Sequence, residues 1–161
     1  MKKIFLLLLI LISCVSCDQI TKVTAKNYLS SSQPISYLNN TFRFQYAENS
    51  GAFLNLGSHL NDRLRFWILT LFVAVFLGGM LIYLLVNRNK PFYLLAALTC
   101  IIGGGASNLL DRIINNGAVI DFMNLGIGNI RTGIFNLADV MIMAGTMALL
   151  LHYINNKRLI G

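Results

Sequence analysis

Two carboxylates, Asp121 and Asp139, stand on either side of a stretch containing Gly126, Gly128 and Gly133, and the second opens an apolar run long enough to cross a membrane. A carboxylate at the edge of a bilayer is costly, so its default reading is a functional site. Two that close on each other can divide acid and base duties. Neighbouring like charges share one proton; the ionised partner draws a proton from an attacking water, and the neutral one protonates the carbonyl under attack. Negative charge belongs in the first turn of a helix, which puts the shared proton on Asp121 rather than Asp139. Asn108, Asp111 and Arg112 fall at i, i+3 and i+4, one face of a helix end. Asn136 and Asp139 fall at i and i+3 on the first turn of the next helix. Each also has a structural reading: an N-cap and its partner, an interfacial ion pair, a cap on a turn. Together, five such residues on two helix ends, with Asp121 between them, favour a site.

Positioning such residues is the work of the rest of the chain. Of its 161 residues 56% are hydrophobic and 12% charged, where a soluble protein carries roughly a quarter charged. A single membrane domain spanning 1–161 is expected. The net charge of +7 does not indicate nucleic acid, because the basic residues form no stripe or binding motif. Lys2, Lys3, Arg88, Lys90, Lys157 and Arg158 sit instead at the ends of apolar runs, the pattern that sets membrane topology. Cys14 and Cys17 form a C-x-x-C with no second pair or nearby His, and Cys100 is alone, so all three read as small apolar side chains. His59 and His152 are isolated and no H-E-x-x-H occurs, which leaves zinc hydrolysis without ligands.

The fold class expected is mainly α: a polytopic membrane protein with four transmembrane helices and a small antiparallel β-sheet outside the bilayer, on its outer face. The spans fall at about 4–24, 66–86, 92–110 and 137–153, with outer loops at 25–65 and 111–136. The first segment also has the grammar of a signal peptide, and Leu11-Ile12-Ser13-Cys14 resembles a lipobox. With no helix breaker until well past Lys22, the helix reads as retained, placing Asp18 and Lys22 at i and i+4 in the favourable order. Between Tyr28 and Asp62 the text changes: a Ser run, Pro34, Asn39-Asn40, then the alternating Phe42-Arg43-Phe44-Gln45-Tyr46 of a strand, a turn at Asn49-Ser50-Gly51-Ala52-Phe53, and a short apolar piece ending at Gly57. In the third span, Gly103-Gly104-Gly105-Ala106-Ser107 lets a neighbouring backbone approach. The termini and the 87–91 turn carry only basic residues, so they face the cytoplasm, and all six acids fall on the other side.

Asp18-Gln19-Ile20-Thr21-Lys22, Asn49-Ser50-Gly51-Ala52-Phe53, Asn108-Leu109-Leu110-Asp111-Arg112, Val119-Ile120-Asp121-Phe122 and Phe135-Asn136-Leu137-Ala138-Asp139 resemble, in order and over nearly the whole chain, the motifs of the lipoprotein signal peptidases (signal peptidase II). Two departures are visible: Phe53 follows Ala52 where the family often has a second Ala, and Ser107 stands where it often has Gly. The resemblance implies an aspartic endopeptidase of the bacterial inner membrane that cuts signal peptides from prolipoproteins just before a diacylglyceryl-modified cysteine. It makes Asp121 and Asp139 the catalytic dyad and Asn49 and Arg112 substrate contacts. Asn108, Asp111 and Asn136 would hold the site in shape, with Asp18, Lys22 and Gly51 in support. It implies no metal or cofactor, lipid-modified prolipoproteins and membrane lipid as partners, and inhibition by the family's cyclic peptides. Two other classes stay in view: a non-catalytic membrane scaffold whose polar clusters anchor helices, and a serine-type intramembrane protease using Ser107, for which His152 lies at the wrong face to serve as base.

Overall fold

The computed structural model describes residues 2–52, 57 and 59–158. Phe53 and most of the short apolar piece ending at Gly57 lie outside the described residues. Among the described residues four helices are long and apolar enough to cross a membrane: α1 (Lys2–Leu29), α2 (Asp62–Val86), α3 (Phe92–Ile114) and α4 (Leu137–Arg158). The chain is therefore a mainly helical, multi-pass membrane protein. The helices outrun the apolar runs that announce them. α1 continues to the Ser run before Pro34 because nothing earlier breaks it. α3 continues past Leu110 until Asn116 and Gly117 take left-handed backbone, with φ of 51° and 91°, so Asp111 and Arg112 remain on the helix. In α2 the residues Phe66–Phe72 are wound as a π-helix, a widening often found beside functional sites.

α3 is the hub. Half of its hydrophobic stretch is buried, against 11% in α2 and α4 and 17% in α1, whose apolar surfaces face outward. The glycine run shows how three neighbours share it. A Cβ on Gly103 would lie 2.7 Å from Cβ of Cys14 on α1, one on Gly104 2.5 Å from the carbonyl of Ala138 on α4, and one on Gly105 2.7 Å from Leu77 on α2. Three consecutive residues point to three helices, and each needs a hydrogen where a methyl would collide. Lipid tails are as apolar as leucine, so close backbone approach, rather than apolar burial, is what draws helices together in a bilayer. Cys14 is buried against this contact, its thiol 3.2 Å from Met141 Sδ, as its reading as a small packing residue expects.

At the end of the bundle away from the chain termini lies an antiparallel sheet in the order β1-β2-β3-β4: β1 (Ile35–Tyr37), β2 (Phe42–Asn49), β3 (Val119–Ile127) and β4 (Ile130–Arg131). β2 extends the alternation at Phe42–Tyr46 to Asn49, with a bulge between Phe44 and Ala47. Asp121 is not on a flexible glycine loop, as the sequence suggests, but in β3 opposite Ala47, and Gly128 (φ 56°) serves the β3–β4 turn. The strand is hard to see in sequence because Val119–Phe122 are all buried, which erases the alternation that marks a half-exposed strand.

Candidate active site

α4 starts with a reciprocal cap. Asn136 Oδ1 accepts from the backbone N–H of Asp139 at 2.9 Å, and Asp139 Oδ2 accepts from the N–H of Asn136 at 3.2 Å. The structural reading of this pair as a capping box is therefore correct, but it is half of what the residues do. Asn136 Nδ2 donates to Asp121 Oδ1 at 2.7 Å, and to Asn108 Oδ1 at 3.0 Å. One fully buried asparagine thus grips Asp139 with its backbone and Asp121 with its amide. The second oxygen of each carboxylate is also engaged: Asp121 Oδ2 accepts from Asn49 Nδ2 at 3.0 Å and Asp139 Oδ1 from Asn108 Nδ2 at 2.9 Å. Burial pushes the Asp121 carboxyl from 3.8 up to about 6; the Asn49 and Asn136 amides oppose that rise and the Asp139 charge adds to it. A carboxyl poised there exchanges protons near neutrality, the range acid–base catalysis needs.

Beneath the pair is a second buried layer. Lys22 Nζ lies 2.6 Å from Asp18 Oδ2, 3.0 Å from Asp111 Oδ2 and 2.8 Å from Asn108 Oδ1. Asp18, Lys22 and Asp111 are 0%, 1% and 2% exposed, so the i,i+4 pair is buried and shared with a third charge from α3. Asp18 Oδ1 accepts from the N–H of Ala138 at 2.7 Å, a cap on α4 delivered from α1. Asp111 Oδ2 accepts from the N–H of Ile120 at 2.9 Å, which fixes the strand one residue before Asp121. Each buried acid therefore ties a helix to the backbone beside one of the paired aspartates.

Two members of this layer escape sequence reasoning. Ser107 Oγ donates to Asp18 Oδ2 at 2.7 Å and accepts from Gln19 Nε2 at 3.0 Å, while Gln19 also donates to Asp111 Oδ1 at 2.7 Å. The only signal was Gln19's place between Asp18 and Lys22, and a polar residue at the end of the glycine run. Ser107 is fully buried and engaged. His152, near the end of α4, pairs with Asn156 on the same helix and with Tyr93 on the first turn of α3. Among the described residues no histidine is hydrogen-bonded to Ser107, whose hydroxyl is committed to Asp18 and Gln19.

Of the remaining candidates, Arg112 lines an opening and Asn49 stands behind it. Arg112 Nη2 donates to the carbonyl of Gly51 at 2.8 Å, and its Nη1 is buried without a hydrogen-bond partner among the described residues. Asn49 spends its amide on Asp121 and on the carbonyl of Ala52 at 3.2 Å, while its Oδ1 accepts from Gly51 N–H. It positions Asp121 directly. A cavity of about 510 Å³ between α2, α3 and α4 is bordered by Ala52, Leu69, Asn108, Arg112, Asp139 and Met143. The π-wound turn of α2 supplies Leu69. Among the described residues no group of His, Cys, Asp and Glu has the makings of a metal site.

Fold and site together define a polytopic membrane protein with a pair of linked carboxylates at the end of its bundle, the equipment of an aspartic hydrolase. The model of the family described as "Signal peptidase (SPase) II" matches residues 10–155. The lipoprotein signal peptidase of Clostridium tetani is 33% identical over 148 residues, covering 91% of each chain. That of Syntrophus aciditrophicus is 32% identical over 162 residues, covering 98% of each. A solved bacterial membrane enzyme shares the fold, with a TM-score of 0.82 at 20% identity over 96% of this chain and 90% of its own. The chain belongs to the signal peptidase II family, a family of aspartic peptidases.

Proposed function

We propose that this chain removes signal peptides from bacterial prolipoproteins, hydrolysing the peptide bond before the diacylglyceryl-modified cysteine with Asp121 and Asp139 as its dyad. The observation that carries this reading is the grip of Asn136 on both carboxylates, which ties two residues from different elements into one unit beside an open cavity. Asp121 holds the shared proton and gives it to the scissile carbonyl oxygen, while Asp139 takes a proton from the attacking water. Arg112, with a donor to spare, binds a backbone carbonyl of the substrate peptide. Asn108, Asn136, Asn49 and, behind them, Asp18, Lys22 and Asp111 keep the carboxylates in place.

The lipid part of the substrate has its own support. Beside the cavity, and sharing Met143 with it, an apolar groove of about 450 Å³ runs between the β3–β4 hairpin and α4, past Leu125, Phe135, Val140 and Met147. The acyl chains lie there while the peptide enters over the dyad, so unlipidated precursor is a poor substrate. The basic termini and the basic 87–91 turn put that end of the bundle in the cytoplasm and the dyad at the outer face of the inner membrane. Cyclic peptides that inhibit the family are expected to occupy the same cavity.

The deciding experiment incubates purified protein with lipidated and unlipidated prolipoprotein. Wild type is expected to cleave the lipidated form, and Asp121→Asn and Asp139→Asn to lose cleavage while remaining folded. Full activity in either variant refutes the dyad, and equal rates on both precursors refute the role of the lipid.

A further inference from the structure

At the opposite end of the bundle from the dyad, α1 and α2 each pack on α3 and scarcely touch each other. The cleft between them holds a cavity of about 200 Å³, lined by Leu7 and Leu8 of α1, Leu84 of α2, Thr99 and Ile102 of α3, and Arg88 at its mouth. Its floor is the main apolar core, since Leu7, Leu84 and Ile102 are buried together with Leu95. Thr99 turns its hydroxyl onto the carbonyl of Leu95 at 2.8 Å, so the wall presents hydrocarbon. Arg88 is the charged residue of the lining, and at the same end of the bundle Lys3 Nζ, next to Lys2 on the first turn of α1, is tethered to the carbonyl of Lys90 at 3.0 Å, two residues beyond Arg88. Every acid of the chain lies elsewhere: Asp18, Glu48, Asp62, Asp111, Asp121 and Asp139 are all at or near the sheet end.

We infer that this cleft is a binding site for one anionic phospholipid, an acyl chain lying on the core and the phosphate resting on Arg88. An apolar cleft open to a bilayer is filled by hydrocarbon, because water has no partners there. The headgroup follows from charge complementarity. A cationic rim without acids at the level of the headgroups selects a negative charge over a zwitterion. The volume and the rim also weigh against other occupants. A helix is roughly 10–12 Å across with its side chains and does not fit the cavity. A signal peptide brings a basic leading segment to this end of the membrane, where it meets only like charge, as does a second copy of this chain. The lipid also has work to do: it bridges α1 and α2 where the protein leaves them unjoined. The site is independent of the peptidase reading, which concerns the other end of the molecule.

The test is native mass spectrometry of the purified full chain, delipidated and then titrated with phosphatidylglycerol or phosphatidylcholine of identical acyl chains. One phosphatidylglycerol is expected to survive activation that strips phosphatidylcholine. Arg88→Gln should lower phosphatidylglycerol retention by about fivefold without changing phosphatidylcholine, and Arg88→Lys should restore it. Leu81→Trp, which fills the cleft from a half-exposed position on α2, should remove the adduct. Thermal unfolding in lipid-free detergent checks that the variants are folded. Equal retention of the two lipids by wild type overturns the proposal whatever the variants do. So does an adduct indifferent to both Arg88→Gln and Leu81→Trp, or a dimer in place of a lipid complex.

Discussion

The position of Asp121 makes a prediction about pH that one substitution can test. Burial lifts this carboxyl to about 6. At that value it is roughly nine-tenths protonated at pH 5 and one-tenth at pH 7, where an ordinary carboxyl would be protonated on the order of one part in a thousand. If Asp121 is the acid, kcat/KM falls on an alkaline limb near pH 6, because it tracks the protonated form of the free enzyme. Asn49 donates to Asp121 Oδ2 at 3.0 Å and so favours the ionised form. A hydrogen bond to a charged group is worth about 1.5–3 kcal/mol, and a pH unit corresponds to about 1.4 kcal/mol. Asn49→Ala should therefore move the limb upward by roughly one to two pH units. The variant, unusually for the loss of a site residue, keeps a larger share of its own maximal activity at pH 7.5 than wild type does. Cleavage of a lipidated precursor across the pH range measures the limb. Infrared titration of the carboxyl band, assigned with Asp121→Asn, gives the same answer should the variant turn over too slowly. A limb that stays put or moves to lower pH refutes the assignment of the proton to Asp121.

Other substitutions follow from the buried layer and the helix contacts. Lys22→Met leaves Asp18 and Asp111 buried without their cation and should cost about 3–5 kcal/mol, seen as a large drop in unfolding temperature in detergent. Adding Asp18→Asn to it should recover part of that loss, since one uncompensated charge is removed. Ser107→Ala deletes one donor to Asp18 and should cost about 1–3 kcal/mol while cleavage persists; loss of cleavage in a protein that stays folded would revive a serine mechanism. Gly104→Ala sets a methyl 2.5 Å from the Ala138 carbonyl and should destabilise by about 1–3 kcal/mol through separation of α3 from α4. Gly79→Ala, with nothing within 4 Å of the added carbon, should be neutral or stabilising by up to about 1 kcal/mol. The pair compared by thermal unfolding separates packing from helix propensity.

The spans were legible because hydropathy and charge are properties of consecutive residues. So were the carboxylates that carry the proposed chemistry, because a bilayer makes any acid conspicuous. What could not be read was tertiary. Spacing alone puts Lys22 and Asp18 on one helix face; that they are buried depends on Asp111 and Asn108, far along the chain. β1 is three residues long, too short to announce itself, and the first half of β3 is buried on both faces. The hydrogen bond from Asn49 to Asp121 was equally hidden, because only the pairing of β2 with β3 brings the two within reach. Ser107 looked like a small spacer, and its hydroxyl gains meaning only when Asp18 is laid against it.

These long-range contacts also explain why the layer beneath the paired aspartates is charged. A buried ion pair is a poor device for stability, since desolvation offsets most of its attraction, and apolar packing would hold four helices as well. What apolar packing cannot do is set polarity. An asparagine amide has an accepting side and a donating side. Lys22 and Asn136 both donate to Oδ1 of Asn108, at 2.8 and 3.0 Å, which leaves Nδ2 to face Asp139. Turned the other way, the amide would set its oxygen against a carboxylate and its N–H groups against an ammonium. The cation therefore fixes which way Asn108 points. The two anions that hold the cation also cap α4 through Ala138 and anchor β3 through Ile120. Orientation of the donors and placement of the backbones thus depend on one buried lysine.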